Sequence, residues 1–185
     1  MSLAHAILGI LNLAPMTGYD LKHAAFDQSI AYFWHADQAQ IYRTLDRMAA
    51  AGWVESVLEV QTERPNRKVY HITEAGQQEL ARWLATDQPL VTYREPFLIQ
   101  LFFGAALSDA DLLRLIEGQA ARHTERLAAL DQVPLPPLDD PAADRETMLR
   151  RLTVELGKAL ERAYLEWLDL CRRTVAELPP AGDGG

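Results

Sequence analysis

The sequence predicts a mainly α-helical protein, in which an N-terminal winged helix-turn-helix with a two-stranded wing precedes a C-terminal antiparallel helical dimerisation domain. Three observations predict this fold. Three short helical patterns occupy about the first 50 residues, two β-branched and aromatic runs follow them, and helical patterns fill the chain after Pro96. The order helix, helix, helix, hairpin, helix is that of a winged helix-turn-helix.

Capping residues mark the first three helices. Apolar residues at helical spacing predict a helix over residues 2–13, which Pro15 ends. The second helix extends to about Asp27. The second and third helices each begin at a capping residue with an acidic or amide partner three residues later. These pairs are Thr17 with Asp20 and Asp37 with Gln40, and Gly52 follows the third helix as its stop.

The pattern then changes to a hairpin and one more helix. Residues 53–63 and 67–72 are β-branched and aromatic, and Arg-Pro-Asn joins them, which predicts two paired strands. Thr73 caps a fourth helix. Three apolar residues share one face of that helix, namely Leu80, Trp83 and Leu84.

The rest of the chain is helical in pattern. Pro96 suits the first turn of an apolar helix, and Ser108 with Asp111 caps a longer one. After a Pro-rich break, the last helix extends from about Ala142 to Leu178 and carries a long apolar stripe. Such a stripe needs a partner, and we expect a second copy of the chain to supply it. The stripe consists of Leu149, Leu152, Leu156, Leu160, Ala163, Trp167, Cys171 and Thr174.

Composition limits the function classes. The chain has 185 residues, 49% hydrophobic and 24% charged, which fits one or two globular domains. Its formal net charge of -8 excludes a basic surface spread over the whole protein, so any DNA site must be a local cluster of cations. The single cysteine excludes an internal disulfide and favours the cytoplasm. The apolar stretches are too short or too polar to span a membrane, and we expect no membrane partner.

The third helix has an exposed face that no core requires. Ile41, Leu45 and Met48 lie within about 60° of one another and define its buried face. The opposite side carries small, amide, phenolic and guanidinium groups, which can approach DNA closely, read adenine or guanine, or contact phosphate. For an isolated helix of this kind, a merely solvated face would be the favoured interpretation. The cationic hairpin that follows instead favours a recognition helix. The predicted contacts are Gln38, Ala39, Gln40, Tyr42, Arg43 and Arg47, with Asp46 and Ala50 on the same side.

The hairpin tip supplies further cations. Positive charge at a hairpin end suits a phosphate backbone or a minor groove, although charged turns are also common without a function. The predicted wing contacts are Arg64, Asn66, Arg67 and Lys68, and the predicted backbone contacts of the second helix are Thr17, Tyr19 and Lys22.

These residues resemble a known family. "TGYDLK", "FWHADQAQIYRTLDRMAAAGWV", "PNRKVYHITEAG" and "WL" resemble the winged helix of PadR-family transcriptional regulators. "REPFLIQLFFGAAL" and "VELGKALERAYLEWLDLC" are similar to the C-terminal helical domain of the subgroup that includes virulence regulators. The resemblance implies a homodimer that holds two winged helices against a palindromic operator in double-stranded DNA and usually represses transcription. It also implies that Tyr42 and the wing cations contact DNA.

The resulting domain prediction has four parts. They are a winged helix-turn-helix DNA-binding domain over residues 1–86, a linker over 87–95, a helical dimerisation domain over 96–178 and a disordered tail over 179–185.

Other sites carry weaker signals. The aromatic residues of the second region and Trp34 either line an effector cavity at a dimer interface or simply pack, and packing is the simpler interpretation. A buried structural thiol is favoured over a redox sensor for Cys171. The histidines lack metal-ligand spacing, and we expect no metal, no cofactor and no catalytic activity. The residues assigned to a dimer or effector surface are Phe97, Phe102, Tyr164, Trp167 and Cys171, and Phe103 is a further aromatic candidate.

A rival from a different class is a winged helix that binds a partner protein instead of DNA. The acidic net charge favours it, and the arginines of the third helix together with the cationic wing oppose it.

Overall fold

The computed structural model describes residues 2–60 and 66–177 and divides into two compact units, residues 1–90 and 91–185. Arg64, a predicted wing contact, and the predicted disordered tail lie outside the described residues. The molecule is mainly helical with one small antiparallel sheet, which confirms the predicted fold class. None of its described helices combines the length and apolar character needed to cross a membrane.

Capping side chains begin the helices of the first unit as predicted. Thr17 accepts a hydrogen bond from the Asp20 amide, Asp37 and Gln40 form a complete capping box, and Thr73 accepts from the Gly76 amide. Gly52 ends the third helix with φ 74°, a left-handed conformation that glycine adopts without strain. The helices are α1 (Ser2–Leu13), α2 (Gly18–Asp20), α3 (Gln38–Ala50) and α4 (Glu74–Leu84).

The second helix differs from the prediction in its hydrogen bonding. After α2 the chain continues as a π-helix over Leu21–Ser29, where Ile30 N donates to the carbonyl oxygen of Ala25 at 3.1 Å. The wider turn places Leu21, Ala25 and Phe26 in the core. Side-chain spacing does not distinguish this geometry from an α-helix.

The sheet has one strand more than predicted. The two predicted strands are β2 (Val54–Glu59) and β3 (Arg67–Ile72), and the additional β1 (Met16–Thr17) pairs antiparallel with the other edge of β3. Thr17 lies opposite Val69 in this pairing. The prediction of a two-stranded wing is therefore incomplete, because a two-residue strand has no periodicity that a sequence could display.

One core joins α1, α3, the π-helix, β2, β3 and α4. The predicted inward face of α3 is confirmed, since Ile41, Leu45 and Met48 are buried. On the predicted apolar face of α4, Leu80 is buried in this core, whereas Leu84 in the last turn is 68% exposed.

Gly76 lets α4 lie close to the backbone of Trp53, the residue that precedes β2. A Cβ atom at Gly76 would lie 2.1 Å from the Trp53 carbonyl oxygen, a backbone atom that cannot rotate away. We expect Gly76→Ala to lower the free energy of unfolding by about 3 kcal/mol. Gly9→Ala in α1 is the matched control, because nothing lies within 4 Å of the Cβ atom that this substitution would add. Urea denaturation should show Gly9→Ala stabilised by about 0.5–1 kcal/mol, and equal stability of the two variants would contradict this packing.

Glu79 of α4 interacts with two side chains, Arg82 of the same helix and His5 of α1. It accepts hydrogen bonds from Arg82 at 2.6 and 2.8 Å, and its Oε1 lies 2.9 Å from Nε2 of the buried His5 of α1. Arg82 first, and then His5, hold the pKa of Glu79 at about 2, below its ordinary value of 4.5. A carboxyl group whose pKa is lowered by folding stabilises the fold above its unfolded pKa.

The stabilisation from Glu79 should therefore be present above about pH 4.5 and disappear as the pH falls through about 2. We expect Glu79→Gln to be less stable than wild type at neutral pH and to show a flatter dependence of stability on pH in that window. Denaturant titrations across the window would measure both effects. Glu125→Gln in the second unit is the control, and an identical pH profile for all three proteins would refute the assignment.

The second unit is built on two antiparallel helices. Its elements are α5 (Pro96–Phe102), a 3₁₀ turn (Gly104–Ala106), α6 (Asp109–Asp131) and α7 (Arg145–Glu177). Pro96 lies in the first turn of α5 as predicted, and Ser108 caps α6 by accepting from the Asp111 amide as predicted. The apolar helix predicted after Pro96 ends at Phe102, and the rest of the apolar stretch forms the 3₁₀ turn.

Polar pairs join α6 to α7. Lys158 Nζ lies 2.7 Å from Asp131 Oδ1, and the buried Glu161 pairs with His123 at 2.5 Å and with Arg126 at 3.2 Å. The order of these contacts shows that the two helices run antiparallel. Because each of these charges is partnered, burial of Lys158 and Glu161 is compatible with a stable core.

The long stripe of α7 divides into two parts. Its N-terminal part is exposed, with Leu149, Leu152, Leu156 and Leu160 each 52–62% accessible. Trp167 and Cys171 instead pack partly against the core of the second unit, so α5 and α6 of the same chain supply part of the partner surface that the stripe was predicted to need. The turns of α7 that contain these two residues lie against α5 and α6, and the N-terminal leucines point away from α6.

Candidate nucleic-acid interface

Helix α3 presents the predicted polar face to solvent. Its capping box fixes the first turn, with Gln40 N donating to Asp37 Oδ1 at 2.7 Å and Asp37 N donating to Gln40 Oε1 at 3.1 Å. The predicted contacts Gln38, Ala39, Gln40, Tyr42, Arg43 and Arg47 are all exposed, and so are Asp46 and Ala50.

Arg43 and Arg47 border open space. Within the described part of the chain, neither guanidinium forms an ion pair with a carboxylate, and Arg47 Nη2 donates to Thr44 Oγ1 at 3.1 Å. Both side chains line an open depression of about 770 Å³, whose apolar side is formed by Leu3 and Trp34. The two arginines therefore have room to reach a base edge without first breaking a salt bridge.

The ring of Tyr42 is positioned by Gly18 at the start of α2. A Cβ atom at Gly18 would lie 2.5 Å from Tyr42 Cε1, so the absence of a side chain there lets the ring lie against the backbone. Tyr42 remains 38% exposed. Tyr42, which is predicted to donate a hydrogen bond to DNA phosphate, thus lies beside α2, which is predicted to contact the DNA backbone.

The wing cation Arg67 lies near two carboxylates, whereas Lys68 lies near an aromatic ring. Arg67 Nη2 is 3.6 Å from Asp20 Oδ2, and Arg67 Nε is 3.8 Å from Glu59 Oε2. Lys68 Nζ lies 5.1 Å from the centre of the Tyr70 ring, and Asn66 is exposed. The sheet register places Arg67 opposite Glu59, and β1 brings the segment that leads into α2 to the other side of β3.

The predicted contacts of the second helix divide between capping and the surface. Thr17 is the N-cap of α2, and Tyr19 is 58% exposed with its ring 4.2 Å from that of His23. Lys22 pairs with Asp27, and this hydrogen bond is the main reason why the pKa of Asp27 is lowered. The structure therefore places all the described residues that are predicted to contact DNA in the first unit. It also shows which of them have acidic neighbours.

Sequence reasoning missed the acidic neighbours of Arg67. Asp20 was predicted only as the capping partner of Thr17, and Glu59 only as part of a strand. The alternation of β2 could have placed Glu59 opposite a wing residue, whereas no local signal links Asp20 to Arg67, which is 47 residues away in the sequence.

The aromatic residues of the second unit pack as a core. Trp167 contacts both Phe97 and Tyr164 edge to face, and Cys171 packs against the same cluster. Burial raises the pKa values of Tyr164 and Cys171, which disfavours a reactive thiolate. Phe102 does not join them and is 81% exposed, Phe103 is 74% exposed, and Trp34 packs in the first unit. The structure thus does not gather the proposed effector-lining set into one cavity.

No group of three or more His, Cys, Asp or Glu side chains suited to a metal ion occurs among residues 2–60 and 66–177.

The helices of the first unit, its antiparallel sheet and the exposed arginines of α3 define a winged helix-turn-helix protein of the DNA-binding class. Residues 7–82 match the transcriptional regulator PadR-like family, and residues 93–176 match the C-terminal family named for the virulence activator alpha. The chain belongs to the PadR-like family of transcriptional regulators. It is accordingly a regulator of transcription and not an enzyme.

Individual relatives extend over nearly the whole chain. A probable transcriptional regulator of Mycobacterium tuberculosis is 35% identical, over 96% of this chain and 99% of that protein. The negative transcriptional regulator PadR of Bacillus subtilis is 30% identical, over 90% and 93%. The structure of that PadR with operator DNA gives a TM-score of 0.81 at 26% identity, covering 95% of this chain and 99% of the other. The virulence activator AphA of Vibrio cholerae gives 0.64 at 30% identity, covering 94% and 98%.

Proposed function

We propose that this regulator is a cytoplasmic homodimeric repressor that binds an inverted-repeat operator. The observation that carries the proposal is the α3 face, where Arg43 and Arg47 are exposed beside the β2–β3 hairpin and lack carboxylate partners among the described residues. Repression is supported by the Bacillus subtilis relative, which is a negative regulator. A dimer is supported by the exposed leucines of α7.

In the proposed complex α3 enters the major groove. Ala39 allows close approach, Tyr42 contacts phosphate, and the residues that read base edges are Gln38, Gln40, Arg43 and Arg47. The hairpin and α2 contact the backbone on either side. The backbone contacts are Thr17, Tyr19, Lys22, Arg64, Asn66, Arg67 and Lys68. The predicted division into a DNA-binding domain over residues 1–86 and a dimerisation domain over 96–178 is part of the same proposal.

A small-molecule effector belongs to the proposal as a second element. Its support is that Bacillus subtilis PadR has been crystallised with p-coumaric acid, at 25% identity and a TM-score of 0.74 over 96% of this chain and 100% of that one. In this chain the aromatic side chains Phe97, Tyr164 and Trp167 lie together in the second unit, where a flat ligand could stack after local rearrangement.

Selection of bound sequences from a random duplex pool, at two salt concentrations, tests the proposal. We expect an enriched inverted repeat whose affinity falls steeply with salt. Addition of p-coumaric acid to the recovered complex probes the effector element. Failure to enrich any sequence with a folded dimer would refute operator binding and favour the protein-interaction alternative.

A further inference from the structure

We propose that Asp20 is a counter-anion of the wing: in the free protein it holds the Arg67 guanidinium, and it thereby lowers the affinity of the protein for every DNA backbone. This inference rests on the proposed function, because it assumes that Arg67 contacts phosphate.

The geometry places one carboxylate where a phosphate would compete with it. Asp20 Oδ2 lies 3.6 Å from Arg67 Nη2, and the two side chains are 43% and 48% exposed. The same Oδ2 accepts a hydrogen bond from Thr17 Oγ1 at 2.8 Å, which fixes the carboxylate at the start of α2. Arg67 must therefore exchange an anchored protein anion for a DNA phosphate when it binds.

The charge pattern across the unit follows the two kinds of DNA contact. Among the described residues, two of the three cations proposed to contact the backbone have acidic partners: Arg67 has Asp20 and Glu59, and Lys22 has Asp27, whereas Lys68 lies near the Tyr70 ring. The arginines proposed to read bases, Arg43 and Arg47, have none among the described residues. Phosphate contacts supply the affinity for DNA of any sequence, whereas base contacts supply discrimination. Internal carboxylates at the backbone contacts thus weaken general binding and leave the base-reading groups unopposed.

The test compares Asp20→Asn with a matched variant in the other unit. Asparagine keeps an oxygen that can accept from Thr17 and removes only the charge. Asp111 occupies the same motif in α6, where it accepts from Ser108 Oγ at 2.8 Å and pairs with Arg114 at 2.7 Å. Asp111→Asn therefore makes the same change of net charge and of capping chemistry, on a helix outside the proposed interface.

Fluorescence anisotropy would measure binding to the selected operator and to a duplex of unrelated sequence. Exposed ion pairs each change an equilibrium by a factor of about 1.4 to 5, so with two protomers we expect Asp20→Asn to bind both duplexes about 2- to 30-fold more tightly. The gain should shrink as salt rises, because these charges are exposed. Asp111→Asn should bind like wild type.

A double-mutant cycle separates competition for Arg67 from general repulsion of DNA. In an Arg67→Ala background, Asp20→Asn should give no more gain than Asp111→Asn. Equal affinity of Asp20→Asn and Asp111→Asn, a gain on one sequence only, or an undiminished gain without Arg67 would each overturn the proposal.

Two further measurements keep the result interpretable. Glu59→Gln leaves the cap of α2 intact and should also tighten binding to both duplexes. If Asp20→Asn fails to fold, the affinity of Glu59→Gln decides between the proposal and its absence. A lack of gain in that affinity then counts against the proposal. If wild type binds neither duplex at low salt, the proposed function itself fails, which is distinct from wild type binding normally while the variants show no gain.

Discussion

Replacing Arg43 and Arg47 together with alanine is expected to reduce operator affinity by about a thousandfold or more, down to the affinity for unrelated DNA. A bidentate contact from arginine to guanine contributes about 1–3 kcal/mol of discrimination, and a dimer would lose four of them. Both side chains are exposed, and among the described residues the substitutions remove one side-chain hydrogen bond, from Arg47 to Thr44. The fold should therefore remain intact, with an unchanged melting temperature.

The measurement is anisotropy titration of the operator and of unrelated duplex with each protein. Arg162→Ala with Arg173→Ala is the matched control, since it removes two exposed arginines from α7 in the other unit. The control should retain operator selectivity. A double α3 variant that still prefers the operator would show that another element reads the bases.

Charged residues in the exposed stripe of α7 are expected to break the dimer. Leu156 and Leu160 are 62% and 60% exposed and lie one turn apart on the side of α7 opposite to Lys158 and Glu161. Burial of each should contribute about 1 kcal/mol or more, so four leucines in a dimer amount to about 4 kcal/mol. We expect Leu156→Glu with Leu160→Glu to raise the dimer dissociation constant at least about a thousandfold.

Sedimentation velocity over a range of concentrations would measure this change, with circular dichroism to verify that the helices remain folded. The Arg162→Ala and Arg173→Ala variant is again the control, because it shifts the net charge by the same amount away from the stripe. The monomeric variant should also lose affinity for the inverted repeat while keeping weak binding to a half-site. An unchanged dimer would place the interface on a different surface.

The helix boundaries were the most predictable features of this protein. Thr17, Asp37, Thr73 and Ser108 all cap the helices that the sequence predicts them to cap. A cap depends on a side chain and an amide two or three residues away, so its evidence is local. The buried and exposed sides of α3 were predictable for the same reason, because they follow from the period of one helix.

Predictions that needed a second element were less accurate. Leu84 shares the predicted apolar face of α4 with the buried Leu80, yet it lies in the last turn of the helix and is 68% exposed. Trp167 and Cys171 follow the spacing of the α7 stripe, but α5 and α6 cover them. Spacing along one helix shows which residues share a face and does not show where a neighbouring helix ends.

The sequence by itself determined the order of elements, the helix caps, the cationic character of the wing and the side of α3 that faces solvent. Only the tertiary structure decided which charges stand next to those cations. Arg67 meets Asp20 because β1 pairs with the outer edge of β3 and carries the start of α2 beside the wing. That pairing depends on backbone hydrogen bonds between segments about 50 residues apart, and such contacts leave no period or spacing in the sequence.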